Sequence, residues 1–395
     1  MTQAHHDALL RLIEAGGSTA ARRTLLETHR DPLAALEAGP RAWREAGCDE
    51  TQARAITGTA TPSAQRELAR AWLAEPGHHL LGWHDPDYPA LLRRVANPPL
   101  ALFVAGDPGL LWHPAVAIVG SRSPSAGGRD NARDFARAIA ATGLGVTSGL
   151  AAGIDTAAHE AALSVDGITV AVLGSGIDIA YPRANAGLYA RIAGRGAVVS
   201  EYPPGTQSQR GFFPARNRII AGLALGVLVV EAAERSGALI TARLASEAGR
   251  DVFAVPGSIH NPMARGCHRL IRDGAGLVEA ASEVTAAVAP LAAELGDALR
   301  QRLAAPSSGA GTAPGDAATS ETTDDPDYNR LWQALGHDPT GMDRLVERTG
   351  LTTAELSSML LLMELEGRVA VAHGRYARRR HDTANTAPSG AGRGK

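Results

Sequence analysis

The chain has 395 residues, 45% of them hydrophobic, with 39 basic against 41 acidic side chains for a net charge of −2. That supply of apolar residues suits two or three packed domains and excludes wholesale disorder. No apolar run approaches the roughly 20 residues of a membrane helix, no basic-then-apolar leader opens the sequence, and two cysteines, Cys48 and Cys267, are too few for a disulfide framework or a cysteine-rich zinc site.

A cytoplasmic protein is the simplest expectation. The near-zero charge leaves nucleic-acid binding open, because association with phosphates depends on where cations sit. The only lysine is Lys395, so any phosphate site here relies on arginine.

Residues 1–75 carry apolar side chains at helical spacing, broken by Gly16-Gly17, Pro32 and Gly39-Pro40, and predict a domain of short helices. Leu100 to Val104 reads as a strand. From 115 onward, apolar runs at Ala115–Val119, Leu144–Thr147, Thr169–Leu173, Ala197–Ser200, Val227–Val230 and Val252–Val255 alternate with helical stretches. Strands that are apolar throughout and joined by helices predict a mostly parallel sheet covered on both faces, a Rossmann-like doubly wound α/β domain over about 76–290. Residues 291–326 read as a helix end and a flexible linker. Tyr328–Leu335, Met342–Arg348 and Thr353–Glu366 predict three helices, followed by a hairpin turning near Gly374. Together they form a winged-helix domain over 327–380. Residues 381–395 read as a disordered tail.

Several loops after these strands could hold an anion. Gly120-Ser121-Arg122 closes the first strand and precedes a helix, a turn that favours phosphate. It is neither a dinucleotide fingerprint nor a P-loop. Ser148-Gly149 and Gly174-Ser175-Gly176 offer hydroxyls and amides at strand ends, the second as a candidate anion nest. Asp155 is a plausible N-cap for its helix, and His159, four residues on, could bond back to it. This pair is expected to be structural or ligand-orienting, since no nucleophile accompanies it. Arg210, Arg216 and Arg218 flank Phe212-Phe213, with Asn217 between the last two arginines. Arginines clamp phosphates and phenylalanines stack bases. One of the two rings is expected to plug the core, with Phe213 as the stacker. Ser236 and Gly237 open a later helix with further donors. No zincin, cysteine–histidine metal spacing or nucleophile elbow occurs, so no catalytic or metal residues and no cofactor are expected.

Gly120-Ser121-Arg122, the stretch Ser148 to Asp155 with His159, and Phe213 to Arg218 resemble the DprA/Smf DNA-processing family. So do Arg235-Ser236-Gly237, Thr241-Ala242-Arg243, Pro256-Gly257 and Gly266-Cys267. The similarity runs from about 80 to 280 in the family's order. It implies single-stranded DNA binding through the Rossmann-like domain, weaker binding of duplex, pairing into a homodimer, and loading of RecA recombinase during natural transformation. It implies DNA contacts at Arg122, Arg210, Phe213, Arg216 and Arg218, a SAM/HhH-like helical front, and a dimer contact near Ile271 and Leu277. Ala152 departs from the Arg or Lys many members carry there. The competing reading is a nucleotide or nucleoside-phosphate hydrolase, for which Glu201 or Glu231 would supply the carboxylate. A third reading, duplex recognition by the winged helix, meets an acidic helix carrying Glu355, Glu364 and Glu366 and no arginine, a poor match to the major groove.

Overall fold

A computed structural model describes residues 3–58 and 63–304, and beyond them 330–332, 334–335, 340–351, 356, 359–360, 363, 369–372 and 375–378. The chain forms two units, Met1–Ser307 and Ser308–Lys395.

Six helices open the first unit: α1 (Gln3–Glu14), α2 (Thr19–His29), α3 (Pro32–Glu37), α4 (Gly39–Glu45), α5 (Glu50–Gly58) and α6 (Ala64–Leu73). Their starts are written in the sequence. Ser18, Asp31 and Ser63 cap α2, α3 and α6 by accepting from the Ala20, Ala34 and Arg66 amides. Their apolar faces, with Leu9, Leu12, Leu25 and Leu26 fully buried, share one core with Leu80, Leu102 and Phe103 of the neighbouring sheet.

The sheet is built from β1 (His78–Gly82), β2 (Ala101–Gly106), β3 (Ala115–Val119), β4 (Gly145–Ser148), β5 (Thr169–Val172), β6 (Ala197–Ser200), β7 (Gly226–Val229), β8 (Asp251–Ala254) and β9 (Gly276–Leu277). Its order is β1-β2-β6-β5-β4-β3-β7-β8-β9. The β1–β2 and β2–β6 pairs are antiparallel and the others parallel. The interleaved helices are α7 (Ala90–Arg93), α8 (Ala126–Ala141), α9 (Ile154–Ser164), α10 (Ala186–Arg195), α11 (Phe212–Leu223), α12 (Gly237–Glu247), α13 (Arg265–Arg272) and α14 (Ala281–Ala304). Alternate residues of β3 face opposite layers. Val116 and Ile118 pack with α8, α9 and α14, whereas Ala117 and Val119 belong to the core containing Ile219 and Ile220 of α11 and Ala242 of α12. This double coverage explains why the strands read as unbroken apolar runs.

The six strands expected between 115 and 255 lie within one residue of their predicted bounds. β1 escaped notice because His78-His79 dilutes its apolar pattern, and α14 runs through Pro290 to Ala304, within the segment expected to hold a helix end before the linker. The order in which strands are added reverses at β3: β4, β5 and β6 lie on one side, β7, β8 and β9 on the other. Such a reversal opens a crevice at the carboxyl ends of the two central strands. The site forms there.

In the second unit, β10 (Thr340–Gly341), α15 (Met342–Thr349) and a hairpin of β11 (Val369–Ala372) and β12 (Arg375–Arg378) form a winged-helix arrangement with sheet order β10-β12-β11. Leu331, Leu335, Leu345, Leu356, Leu360 and Met363 form its core. The turn at Gly374, the linker through 329 and the tail 381–395 lie outside the described residues, as do Glu355, Glu364 and Glu366. Among the described residues no helix is long and apolar enough to cross a membrane.

Candidate nucleic-acid cleft

The strand-end loops enclose a cleft of about 540 Å³ lined by Gly120, Arg122, Arg210, Phe213, Asn217, Ser236 and Gly237, among others. Phe213 enters it from the first turn of α11. Gly174 backs the ring so closely that a Cβ there would lie 2.9 Å from Phe213 Cδ1, so glycine is needed for the approach of a ring and not of a ligand. The Arg122 guanidinium lies 5.4 Å from the Phe213 centroid, within cation–π range. Tyr181 stands beside them, its ring centroid 5.2 Å from that of Phe213 and its side chain 45% exposed. Phe212 turns away and stacks on Tyr202 at 4.0 Å and 17°. The expected division of the phenylalanines is therefore half right in place: Phe213 faces the cleft, but Phe212 rests half-buried on a tyrosine outside the core. Tyr181 went unread. Its signal was an aromatic residue in a Gly-rich strand-end loop of a chain with only 4% aromatics.

The arginines divide into two kinds. Arg122 and Arg210 are exposed and line the cleft, and among the described residues neither is held in an ion pair. Arg216 is 4% exposed. Its guanidinium donates to Gly149 O at 2.6 Å, to Val172 O, and through Nε to Asn217 Oδ1 at 3.2 Å. Burial lowers its pKa to about 10, against the attraction of Asp155. Arg218 lies outside the cleft lining. It forks onto both Glu201 carboxylate oxygens at 2.7 and 2.6 Å and donates to Asn97 O at 2.6 Å. Burial opposes the Arg218 charge, but the bond and attraction to Glu201 prevail and raise its pKa. Of the four arginines expected to contact DNA, Arg122, Arg210 and Arg216 line the cleft, the last with its donors taken by Gly149 O, Val172 O and Asn217, while Arg218 lies outside it and holds Glu201.

The hydroxyls and amides are similarly sorted. Ser148 and Ser175 are fully buried, their Oγ atoms donating to Ile118 O and Ile179 O at 2.6 and 2.7 Å. The Gly149 amide donates to Asp155 Oδ2 at 3.1 Å and the Gly176 amide to Thr206 O at 2.7 Å. Neither amide is left for an anion, so within the nest expected at 174–176 the Gly176 amide is committed to loop-to-loop bonding. Ser121 gives its amide to Glu231 O at 2.7 Å, while its hydroxyl accepts from the Ser123 amide. Gly120 is required by packing, a Cβ there falling 2.7 Å from Ile154 Cγ1. Ser236 caps α12 by accepting from the Ala238 amide, and Gly237 O accepts from Asn217 Nδ2 at 3.3 Å. Asn217 of α11 and Ser236, Gly237 and Ala238 at the start of α12 line the cleft.

Asp155 and His159 do not form a pair. Gly153, at φ 88, precedes α9 in place of the expected Asp155 cap. The buried Asp155 carboxylate instead accepts from the Gly149 and Ala151 amides. Burial raises its pKa, against the pull of Arg216 and those amides. With Asn185 Nδ2 donating to Leu150 O at 2.9 Å, these contacts hold Leu150 at φ 56, a left-handed conformation that costs of order 1–3 kcal/mol and persists only when over-determined. His159 Nδ1 meets Thr169 Oγ1 at 2.7 Å, and that hydroxyl donates to Val146 O at 2.8 Å. Nδ1 is therefore the protonated nitrogen. Burial, aided by Arg216, lowers the imidazole to about 3, so the ring is neutral and serves the core.

Both carboxylates available to a hydrolase are engaged. Glu201 holds Arg218, and Glu231 accepts from the Ser125 amide and hydroxyl at 2.8 and 2.6 Å and from Asn261 Nδ2 at 3.0 Å. Among the described residues no three His, Cys, Asp or Glu side chains gather as metal ligands. Ala152, exposed at the turn before α9, adds no cation.

Comparison with known proteins agrees with this architecture. The family described as DNA recombination-mediator protein A matches residues 79–289, and the DprA winged helix domain matches 315–375. Protein Smf of Escherichia coli is 40% identical over 320 residues, covering 81% of this chain and 82% of that protein. DNA processing protein DprA of Streptococcus pneumoniae is 49% identical over 202 residues, covering 51% of this chain and 71% of that protein. A crystal structure of the Streptococcus pneumoniae DprA superposes with a TM-score of 0.63 at 38% identity, covering 71% of this chain and 97% of that one. With the recombination-mediator domain spanning more than half of its length and a winged helix after it, the chain belongs to the DprA/Smf family.

Proposed function

We propose that the protein is a non-catalytic, cytoplasmic recombination mediator that holds single-stranded DNA in the cleft of its Rossmann-like domain and passes it to RecA recombinase. The observation that carries this reading is the grouping of Phe213, Tyr181 and Arg122 beside Arg210. Two rings and two exposed cations offer stacking surfaces for bases and charges for phosphates, which suits an unpaired strand better than a duplex whose bases are stacked inside. A hydrolase is disfavoured because Glu201 and Glu231 are committed to Arg218 and to Ser125 and Asn261. Membership of a family described as DNA recombination mediators supports delivery to RecA.

Phe213→Ala tests the reading. It is expected to weaken binding of a single-stranded oligonucleotide by about 1–3 kcal/mol while leaving the salt dependence of binding unchanged, because stacking releases no counterions. Fluorescence anisotropy across a salt series measures both. Wild-type preference for duplex, or release of base or phosphate from DNA or nucleotides, would overturn the proposal.

Pairing into a homodimer is proposed through the β9 edge. Leu277 is 49% exposed there, whereas Ile271 is half-buried and packs partly on the core. An isologous contact repeats each residue across the twofold axis. Leu277→Glu with Ile271→Glu is expected to give monomers by light scattering at micromolar concentration, where the wild type is dimeric. A monomeric wild type or a dimeric variant refutes this interface.

A further inference from the structure

We propose that the helical front braces the stacking rings through two struts, which makes Gln65, Leu68 and Arg23 positioning residues for strand binding. The inference rests on the reading of the cleft given above.

The first strut runs from α6 to the loop after β6. Gln65 Nε2 donates to Thr206 Oγ1 at 3.0 Å. Leu68 lies so close over the neighbouring residue that a Cβ on Gly205 would fall 2.7 Å from its Cδ2. The helix that bears them is itself anchored, since Arg66, 2% exposed, pairs with Glu14 of α1 at 2.5 Å. From Gly205 and Thr206 the support continues into the cleft. Thr206 O accepts from the Gly176 amide at 2.7 Å, and the Gly205 amide donates to Asp178 Oδ1 at 2.8 Å. Both partners lie on the loop after β5, which carries Tyr181. Just upstream, Tyr202 stacks on Phe212, the neighbour of Phe213.

The second strut runs from α2. Arg23 donates to Pro98 O at 2.6 Å and Asn97 Oδ1 at 3.2 Å, and Asn97 O accepts from Arg218 Nε at 2.6 Å. Arg218 in turn grips Glu201. The struts therefore meet the segment 201–218 at Thr206 and at Arg218, with Phe213 between them. A cavity of about 510 Å³, lined by Ile13, Glu14, Thr19, Arg22, Leu100 and Tyr202 among others, separates the helices from the sheet in this region. The loop is thus supported at discrete points and not by continuous packing. Gly205, Gln207, Gln209, Arg210 and Gly211 are exposed, so the front helices supply much of what fixes this segment. A ring held in place loses less freedom on binding than a mobile one, which is how preorganisation raises affinity.

The test uses the full-length protein and a single-stranded oligonucleotide containing 2-aminopurine, whose fluorescence falls when an aromatic ring stacks on it. Gln65→Ala with Leu68→Ala is expected to bind about fivefold more weakly, the range for one lost hydrogen bond and its contact. It should also show a smaller quench at saturation, with the slope of affinity against salt unchanged. Thr206→Val, which removes the acceptor for Gln65 together with the hydroxyl's own bond to Pro203 O at 2.7 Å, should lose at least as much, and Thr206→Ser, which keeps both bonds, should restore wild-type quench. Arg41→Ala, which breaks an exposed pair with Glu45 on α4, serves as a control for a substitution on the helical front away from both struts and should change neither readout. Wild-type affinity and quench in both the double variant and Thr206→Val overturn the bracing. A changed salt slope also overturns it, since the cations and not the rings would then have moved. If the wild type binds no single strand, the functional reading falls and this inference with it.

Discussion

Arg216→Ala is expected to destabilise the first unit by about 3–5 kcal/mol, the range for removing one partner from a buried, charged network. The change strips donors from Gly149 O and Val172 O and leaves Asp155 buried without its nearest cation. It also releases the loop holding Leu150 at φ 56. Urea unfolding followed by circular dichroism should show a lower midpoint at an unchanged slope. Arg122→Ala should melt within about 0.5 kcal/mol of wild type, as surface substitutions usually do. Arg216→Met with Asp155→Asn should recover part of the loss, because the uncompensated charge is gone. An Arg216→Ala protein as stable as wild type, yet unable to bind DNA, would return Arg216 to the role of a direct phosphate clamp.

Arg122→Ala with Arg210→Ala is expected to abolish most binding while sparing the fold. Each charge-assisted contact is worth about 1.5–3 kcal/mol, so the pair should weaken single-strand affinity roughly 100-fold or more at low salt. The slope of log affinity against log salt should fall by about 1.4, since each lost phosphate contact removes about 0.7. Arg122 carries a second effect, because its guanidinium also lies over Phe213 and fixes one face of that ring. The single Arg122→Ala variant should therefore lose more affinity than Arg210→Ala for the same change in slope. An unchanged slope in the folded double variant would place the phosphates elsewhere.

The part of the fold visible in the sequence is the part governed by short-range patterns. Runs such as Ala115–Val119 and Thr169–Val172 are buried on both faces, so their apolar character is continuous and their ends are sharp. The loops at their carboxyl ends were legible for the same reason, and Arg122 and Arg210 lie in them, with Phe213 just beyond, on the first turn of α11. What a residue does within a loop depends on distant partners. Arg216 looks like a surface cation until Gly149 O and Val172 O, 67 and 44 positions away, are seen to take its donors. Glu201, 17 positions before Arg218, consumes the other arginine. Ser148 and Ser175 suggested ligand donors because hydroxyls at strand ends often are, but each turns inward to a neighbouring carbonyl. Tyr181 was missed because it owes its place to Phe213, 32 positions on, and no local rule links them.

The two ends of the sheet are unlike. At one end β1 lies against α6, with Trp72 stacked on His78 at 3.9 Å, and the closing residues of the strand are buried. At the other, β9 offers two residues, Gly276 and Leu277, both exposed. An unprotected edge is where chains add to one another, and a molecule with two such edges can grow without limit. Among the described residues, the β1 end of this sheet is covered by α6, so this sheet offers lateral addition at the β9 end alone. Any assembly that joined β9 to the β9 of a second copy would use up both such ends at once and terminate as a closed particle of two, with neither outer end able to recruit a third.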